Sequence, residues 1–269
     1  MTAGTQILAK APIVQYWHSE KTPDEIAELL STFSARNSDL RHLVFNEASA
    51  EEFIEERFTP REVAAFRACA VPAMQADYLR YCAVLALGGV YADADSRCIA
   101  PLSSLLDAAE GGILFGWPEL PPLFRTPLYE WRERAGPYRA IPNSIFAFKS
   151  PGHPLLELVL EIATTNVENR IAENVALTTG PGIFTSLYLL REMGSLEAYV
   201  DFVEGGVFEQ SASVLCDVIR NYACIDRSFE GVRIPPMATA ERWIMPPKTR
   251  PAYKDTDAYW INAKSSIFR

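Results

Sequence analysis

The sequence has no long apolar run and no surplus of positive charge. No stretch approaches the roughly 20 apolar residues that a membrane-spanning helix needs, and the segment Met1 to Gln6 lacks a signal-peptide pattern. The formal net charge of −9 argues against a nucleic-acid-binding protein, because phosphate backbones are held by an excess of Lys and Arg. We therefore expect a cytoplasmic protein with no nucleic-acid partner.

Cysteine is scarce and is not spaced in pairs. The chain has 5 cysteines, an odd number, and none of them form a C-x-x-C motif. Neither a disulfide framework nor a zinc site is predicted from this pattern. We expect buried free thiols.

The composition and the order of elements predict one α/β domain. The chain has 269 residues, 49% hydrophobic and 22% charged, which suits a globular domain with a full core. The first strand is predicted from Pro12 to His18 and the second from Arg41 to Phe45. Helices are predicted from Thr22 to Arg36 and from Ser49 to Phe58. This βαβα order favours a parallel sheet, so we expect a single domain over residues 1–269.

Later segments predict further strands and one irregular insertion. Residues at about 117–142 contain six prolines among aromatic and charged residues, a composition that no regular element tolerates for long. Long insertions of this kind are commonly binding loops, so we assign this one to acceptor recognition. Strands are predicted at residues 112–116, 143–148, 199–202 and 212–215.

The most informative stretch is a helix, a turn, a short strand and two acids. Pro72 suits a first helical turn and Gly88 suits a helix end, which predicts a helix from Pro72 to Leu87. A brief strand then begins at Val90 and leads to Asp93 and Asp95. Acids at the carboxyl end of a strand lie where open α/β sheets bind ligands.

Asp93 and Asp95 are predicted to point to the same side. At an effective dielectric constant near 20 and a separation of about 6 Å, their repulsion would be roughly 3 kcal/mol. A divalent cation that prefers oxygen ligands would offset it, and Mg²⁺ or Mn²⁺ usually completes its shell with substrate phosphates. This predicts a diphosphate-bearing donor. The alternative is an exposed turn with Arg97 as a weak surface partner. The spacing alone decides nothing, because Asp255 and Asp257 repeat it.

The whole stretch resembles a known family. Asp77-x-x-Arg80 followed by Gly88-Gly89-Val90-Tyr91-Ala92-Asp93-Ala94-Asp95 is similar to the signature of the DXD sugar-binding glycosyltransferases of family 32. That family includes the yeast initiating α-1,6-mannosyltransferase and bacterial capsule and lipopolysaccharide transferases, and the glucosylating clostridial toxins are more distant relatives. The resemblance implies a GT-A-type, Rossmann-like mixed sheet flanked by helices.

The resemblance also implies an activity. It is transfer of a hexosyl group, with retention of configuration, from a nucleotide diphospho-sugar such as a UDP- or GDP-hexose. The acceptor would be a saccharide or a lipid-linked molecule of polysaccharide biosynthesis, through which the protein could associate peripherally with a membrane. Mn²⁺ or Mg²⁺ would join Asp95 to the diphosphate, and Asp93 would help to hold the metal and contact the ribose or the sugar.

Other residues receive donor-binding roles from the resemblance. Asp77 and Arg80 would contact the hexose hydroxyls, with a surface ion pair as the alternative. Tyr91 would lie against the donor, and Asn143 would reach the sugar or the acceptor. Gln15 and Trp17 match the first strand of the family, in which an aromatic residue meets the nucleotide base. Trp17 as a core residue is the alternative.

The C-terminal segment departs from the family pattern. Family members often end in a histidine-rich stretch that closes over the metal, and the histidines are missing between Tyr259 and Ser266. Asn262 or Ser265 is left as a candidate third metal ligand, and Lys264 as a candidate contact to the diphosphate.

Two other functions fit the acids. A phosphatase of the haloacid-dehalogenase type also uses Asp-x-Asp after a strand, with the first acid as nucleophile and Mg²⁺ as partner. Its acids normally follow the first strand, whereas Asp93 lies far from the N-terminus. A non-catalytic sugar-binding module is the other alternative.

Overall fold

The computed structural model describes residues 11–117, 139–171, 174–203, 223–255 and 266–269. Its strands are β1 (Ile13–Tyr16), β2 (His42–Phe45), β3 (Gly89–Ala92), β4 (Arg97–Cys98), β5 (Ile145–Phe148) and β6 (Ile244–Met245). Its α-helices are α1 (Asp24–Arg36), α2 (Glu47–Arg57), α3 (Pro60–Ala68), α4 (Pro72–Leu87), α5 (Ser103–Ala108), α6 (Pro154–Glu168), α7 (Val175–Thr178), α8 (Pro181–Met193), α9 (Leu196–Val203) and α10 (Ala223–Ser228). Two 3₁₀ turns follow, Met237–Arg242 and Ala252–Asp255.

The central sheet is mixed. Its four strands lie in the order β2-β1-β3-β5, with β1 parallel to β2 and to β3. β5 runs antiparallel to β3 and pairs Ile145 with Ala92. The predicted α/β fold with a mixed sheet flanked by helices is confirmed. β4 and β6 form a separate two-stranded sheet.

The strands β1, β3 and β5 are buried on both faces because their residues alternate between two apolar cores, whereas Val44 of the edge strand β2 is exposed. Tyr91 and Phe146 point into the larger core, to which α4, α6 and α8 contribute. Val90, Ala92 and Ala147 point into the second core, on the side of α1 and α5. Strands that are covered on both faces have continuous apolar runs, as β3 and β5 do.

The helix α4 matches its predicted bounds and is buried along its length. Pro72 occupies the first turn, and Gly88 ends the helix with φ 66°. Asp77 and Arg80, for which a surface ion pair was the alternative to a hexose contact, are at most 5% exposed. The helix therefore carries an ion pair into the interior.

Three sequence predictions of secondary structure are corrected. Residues 199–202 lie in the helix α9 and not in a strand. Residues 112–116 form isolated bridges, among them Ile113 with Ala147. Helix α2 begins at Glu47 under an Asn46 cap, and Ser49 completes the capping box from inside the helix. The predicted strand at 212–215 and most of the insertion at 117–142 lie outside the described residues.

No helix among the described residues is both long and apolar enough to span a membrane.

Candidate functional site

The fold brings three chain segments to one edge of the central sheet. Because β1 and β3 are parallel, their carboxyl ends place Trp17 and Asp93 at the same edge. β5 runs the other way, so the residues before it, Asn143 and Ser144, arrive there too. The amide of Asp93 donates to the Ser144 carbonyl over 2.9 Å. The N-terminal half of α4 covers this edge, because the helix turns back into β3 through Gly88.

A cleft of about 300 Å³ opens at this edge. Most of the predicted site residues line it. They are Trp17, Asp77, Arg80, Tyr91, Asp93, Asp95 and Asn143. Among these predicted residues, Trp17 and Asn143 are the farthest apart in the sequence, at 126 positions.

Asp93 forms the floor of the cleft together with the residues beneath it. The Tyr91 hydroxyl donates to Asp93 Oδ1 over 2.9 Å, and Arg80 Nη2 lies 3.4 Å from the same oxygen. Burial against the cleft wall raises the pKa of Asp93 to about 6, Arg80 opposes this shift, and Asp95 adds to it. The Asp93 side chain is 34% exposed, so it remains open to a ligand.

Asp77 and Arg80 form an ion pair beneath the acids. Arg80 Nη2 lies 2.9 Å from Asp77 Oδ1, and Arg80 Nη1 donates to the Asn143 carbonyl over 2.6 Å. The guanidinium lies 4.3 Å from the centre of the Tyr91 ring. The pair has the i,i+3 spacing expected on a helix, but it is buried and not at the surface. A hexose contact by either residue stays a prediction.

Asn143 connects this ion pair to the turn before α8. Its amide nitrogen donates to Asp77 Oδ1 and to the Tyr81 hydroxyl, each over 2.9 Å. The Tyr81 hydroxyl in turn donates to the Thr179 carbonyl over 2.8 Å. Burial raises the pKa of Asp77, while Arg80 and the hydrogen bonds from Asn143 and Thr179 oppose the rise. The amide is thus held in one orientation at the cleft wall.

Asp95 meets two side chains from the C-terminal region. Its Oδ2 accepts a hydrogen bond of 2.9 Å from the Tyr253 hydroxyl. The same oxygen lies 2.6 Å from Lys254 Nζ. Arg97, the surface partner considered for the aspartates, instead pairs with Glu28 over 3.0 Å. The Asp95 side chain is 16% exposed, so its charge is balanced mainly by Lys254.

Gln15 lies behind the cleft and does not line it. Its amide nitrogen donates to the Asp93 carbonyl over 3.2 Å, and its Oε1 lies 2.7 Å from His42 Nε2. The other ring nitrogen of His42 lies 2.7 Å from the Ser34 hydroxyl. With Gln15 Oε1 as acceptor, His42 carries its proton on Nε2. Gln15 therefore positions the Asp93 backbone, and its contact with a donor stays a prediction.

Trp17 is both a core residue and a wall of the cleft. It is 7% exposed and packs edge to face against Tyr253, with ring centres 5.1 Å apart. Its indole nitrogen is buried without a hydrogen-bond partner among the described residues. A buried indole N–H usually finds a partner, so this donor suits an oxygen of a bound ligand.

The acids offer a partial set of metal ligands. Among the described residues, no hydrogen bond or ion pair engages Asp93 Oδ2 or Asp95 Oδ1. Two carboxylate oxygens on one edge fit Mg²⁺ or Mn²⁺, which take further oxygens from water and substrate phosphate. Within the same ranges no group of three or more His, Cys, Asp or Glu side chains is arranged to hold a metal. Asn262, the predicted third ligand, lies outside the described residues, as do Lys264 and Ser265.

Sequence reasoning missed Tyr253, Lys254 and His42. Tyr253 and Lys254 lie beside an Asp-x-Asp repeat at the C-terminal end of the chain, which carries no signal for contact with Asp95. His42 is in a short strand, and only the pairing of that strand beside β1 brings it to Gln15.

The chain is similar to known glycosyltransferases. Residues 23–111 match the family model described as a glycosyltransferase sugar-binding region containing a DXD motif. These residues include Asp77, Arg80, Asp93 and Asp95, so the resemblance predicted from the sequence is confirmed for this region. The matched region covers about a third of the chain.

One curated relative and one solved structure extend the comparison. HOC1 of Saccharomyces cerevisiae, whose name assigns it to the glycosyltransferases, is 24% identical over 215 residues. The match covers 74% of this chain and 51% of the yeast protein, so the chain spans about half the length of that relative. The solved PaToxG glycosyltransferase is 18% identical and matches with a TM-score of 0.47 over 81% of this chain and 86% of its own.

Proposed function

We propose that the chain is a metal-dependent glycosyltransferase that moves a hexosyl group from a nucleotide diphospho-sugar to a saccharide or a lipid-linked acceptor. One observation carries the proposal. Asp93 and Asp95 share a cleft with the buried pair of Asp77 and Arg80, inside a region that matches the DXD family. The cleft joins a cation-binding edge to a wall of fixed hydrogen-bonding groups.

The proposed cation is Mn²⁺ or Mg²⁺, held by the open oxygens of Asp93 and Asp95. When bound, it would stabilise the negative charge that develops on the departing diphosphate. The surrounding residues hold the two acids in place. Tyr91 and Arg80 fix Asp93 Oδ1, and Gln15 fixes the Asp93 backbone. An acid held by several partners costs little reorganisation when the ligand binds.

The charges of the cleft also support a cation. Among the described lining residues, three carboxylates face two basic side chains, Arg80 and Lys254. The cleft thus has one excess negative charge, and a donor diphosphate would bring about two more. A divalent cation would offset this repulsion.

The donor is proposed to lie with its base or ribose near Trp17 and its hexose towards Asp77, Arg80 and Asn143. The indole N–H of Trp17 is buried and lacks a hydrogen-bond partner among the described residues, so a small shift of the ring would be needed for it to donate to a ligand oxygen. In the reaction, the bond from the anomeric carbon to the phosphate oxygen breaks and a bond to an acceptor hydroxyl forms. The nucleoside diphosphate leaves with the electron pair of the broken bond, and the hydroxyl proton passes to a diphosphate oxygen or to solvent. Retention of configuration is proposed from the family resemblance.

Four finer points stay predictions. They are the choice of UDP or GDP, a role in polysaccharide biosynthesis, a cytoplasmic location, and peripheral contact with a membrane through the acceptor.

Turnover of nucleotide sugars tests the proposal. The purified chain is incubated with a panel of UDP-, GDP- and other nucleotide hexoses, with Mn²⁺ or with EDTA, and free nucleotide is measured. We expect steady release of a nucleoside diphosphate from at least one donor in Mn²⁺ and a loss of at least tenfold in EDTA. Release of inorganic phosphate in place of the nucleoside diphosphate would favour the phosphatase alternative. Donor binding without turnover, with mono- and oligosaccharide acceptors supplied, would favour a sugar-binding module.

A further inference from the structure

A lysine ammonium lies beside Asp95 at the edge where the proposed cation would bind. Lys254 Nζ is 2.6 Å from Asp95 Oδ2, and the Lys254 side chain is 22% exposed. The Tyr253 hydroxyl donates to the same oxygen over 2.9 Å. One oxygen of this acid is therefore already engaged by a positive charge and a hydrogen-bond donor.

The backbone that carries Lys254 is anchored. The Ala252 amide donates to Glu25 Oε1 at the start of α1 over 2.9 Å. The Tyr253 ring packs edge to face on Trp17, and Pro251 is buried. The backbone and the Tyr253 ring are thus held, whereas the lysine side chain has four methylene groups and three donor hydrogens with which it can reach other acceptors.

The other basic residue of the cleft cannot take over this role. The Arg80 guanidinium is bound to Asp77, Asp93 and the Asn143 carbonyl, and it is buried under the Tyr91 ring. Among the described lining residues, Lys254 is therefore the counter-ion of Asp95. A divalent cation on Asp95 would bring a second positive charge next to the ammonium, and like charges at contact repel strongly where water is limited.

We propose that Lys254 is a positioning residue that exchanges with the divalent cation. Without donor, its ammonium neutralises Asp95 and keeps this carboxylate oriented towards the cleft. When the cation binds Asp95, the ammonium leaves the carboxylate and binds the donor diphosphate instead. This inference rests on the proposed function, and it assigns Lys254 a role in metal affinity and a separate, opposite role in binding the diphosphate.

Metal binding in the absence of donor tests the first half. Mn²⁺ is titrated calorimetrically into the full chain as wild type, Lys254→Met and Lys248→Met. Methionine keeps the length and apolar stem without the charge, and Lys248 is an exposed lysine nearby in the sequence. We expect Lys254→Met to bind Mn²⁺ at least tenfold more tightly than wild type and Lys248→Met to stay within twofold. Equal or weaker Mn²⁺ binding by Lys254→Met, or no binding by any variant, would overturn the exchange.

Nucleotide binding in saturating Mn²⁺ tests the second half. UDP and GDP are titrated into the same three proteins. We expect Lys254→Met to bind the preferred nucleotide at least fivefold more weakly, although it binds the metal more tightly. Equal affinity, or no nucleotide binding by the wild type, would overturn the diphosphate contact. If the expected changes in affinity are absent but the wild type still turns over a nucleotide sugar, this inference is wrong and the proposed function is unaffected.

Discussion

Arg80 holds two carboxylates from a position that is 4% exposed. It contacts Asp77 and Asp93 and donates to two backbone carbonyls, those of Ala76 and Asn143. Removing one partner of a buried ion pair leaves the other charge without compensation and typically costs about 3–5 kcal/mol. Arg80 is therefore a structural residue in addition to any contact that it makes with a donor.

We predict that Arg80→Ala lowers the free energy of unfolding by about 3–5 kcal/mol in urea titrations. Arg67→Ala is the matched control, because Arg67 pairs with Glu51 and Glu55 at the surface and is 52% exposed. Exposed pairs contribute little to stability, so the control should change the free energy of unfolding far less than Arg80→Ala does. In a double-mutant cycle with Asp77→Asn, we expect Arg80→Met to show a coupling energy of at least about 1 kcal/mol. Additive losses would contradict a direct interaction.

The ionisation of Asp93 should appear in the pH dependence of stability. Burial raises the pKa of Asp93 to about 6 in the folded state, from an ordinary value of 3.8. The folded state then binds a proton on Asp93 more readily than the unfolded state does. Protonation of Asp93 therefore favours the folded state at low pH, and this stabilisation is lost as the pH rises from about 4 to about 6.

We therefore predict that the stability of wild type relative to Asp93→Asn declines as the pH rises through this window and is constant above pH of about 7. Urea unfolding of both proteins at a series of pH values from about 4 to about 7 measures this difference in the free energy of unfolding. The asparagine keeps an oxygen for the Tyr91 hydroxyl and removes the titration. A difference that rises with pH would mean that Arg80, and not burial, dominates the environment of Asp93.

At the scale of elements, the turn between α4 and β3 sets the direction of the acids. Gly88 and Gly89 have φ of 66° and 106°, a region that residues with a side chain rarely adopt. A Cβ on Gly89 would lie 2.1 Å from the Pro12 carbonyl oxygen at the start of β1. The glycine thus allows the close approach of the two strands whose ends form the site.

We predict that Gly89→Ala destabilises the protein by about 3 kcal/mol, through backbone strain and this clash. Gly152→Ala provides the control, because Gly152 also has positive φ, at 74°, and its added Cβ would meet nothing within 4 Å. The control should lose only about 1 kcal/mol, from strain alone. Urea unfolding of both variants measures the two losses of stability. Similar losses in Gly89→Ala and Gly152→Ala would mean that the contact with Pro12 relaxes at little cost.

The elements with strong local signals could be predicted from the sequence. Pro72 and Gly88 mark the ends of α4, the β-branched Val90 and the aromatic Tyr91 indicate β3, and the structure has both elements. Helix α9 was missed because Tyr199 and its neighbours have high β-propensity, whereas packing decides their conformation. The Ser195 hydroxyl accepts from the Ala198 amide over 3.0 Å, and this serine is the sequence signal that favours a helix here.

At the scale of the whole molecule, the site depends on contacts between distant segments. The common edge of β1 and β3 follows from parallel pairing, which the βαβα order indicates. The antiparallel β5 could not be deduced, so the placement of Asn143 over Asp77 could not be either. Tyr253 reaches Asp95 across 158 positions, a separation at which local sequence patterns carry no information. The acids could thus be identified from the sequence, but their partners could not.

Calorimetric titration of nucleotide hexoses into wild type and Asp95→Asn, with and without Mn²⁺, tests the central claim most directly. The claim is that Asp93 and Asp95 hold a divalent cation against the diphosphate of a sugar donor. We predict that wild type binds a UDP- or GDP-hexose at least tenfold more tightly with Mn²⁺ than in EDTA, and that Asp95→Asn loses this gain while staying folded by circular dichroism. Equal donor affinity with and without metal, or a full metal-dependent gain in Asp95→Asn, would contradict it.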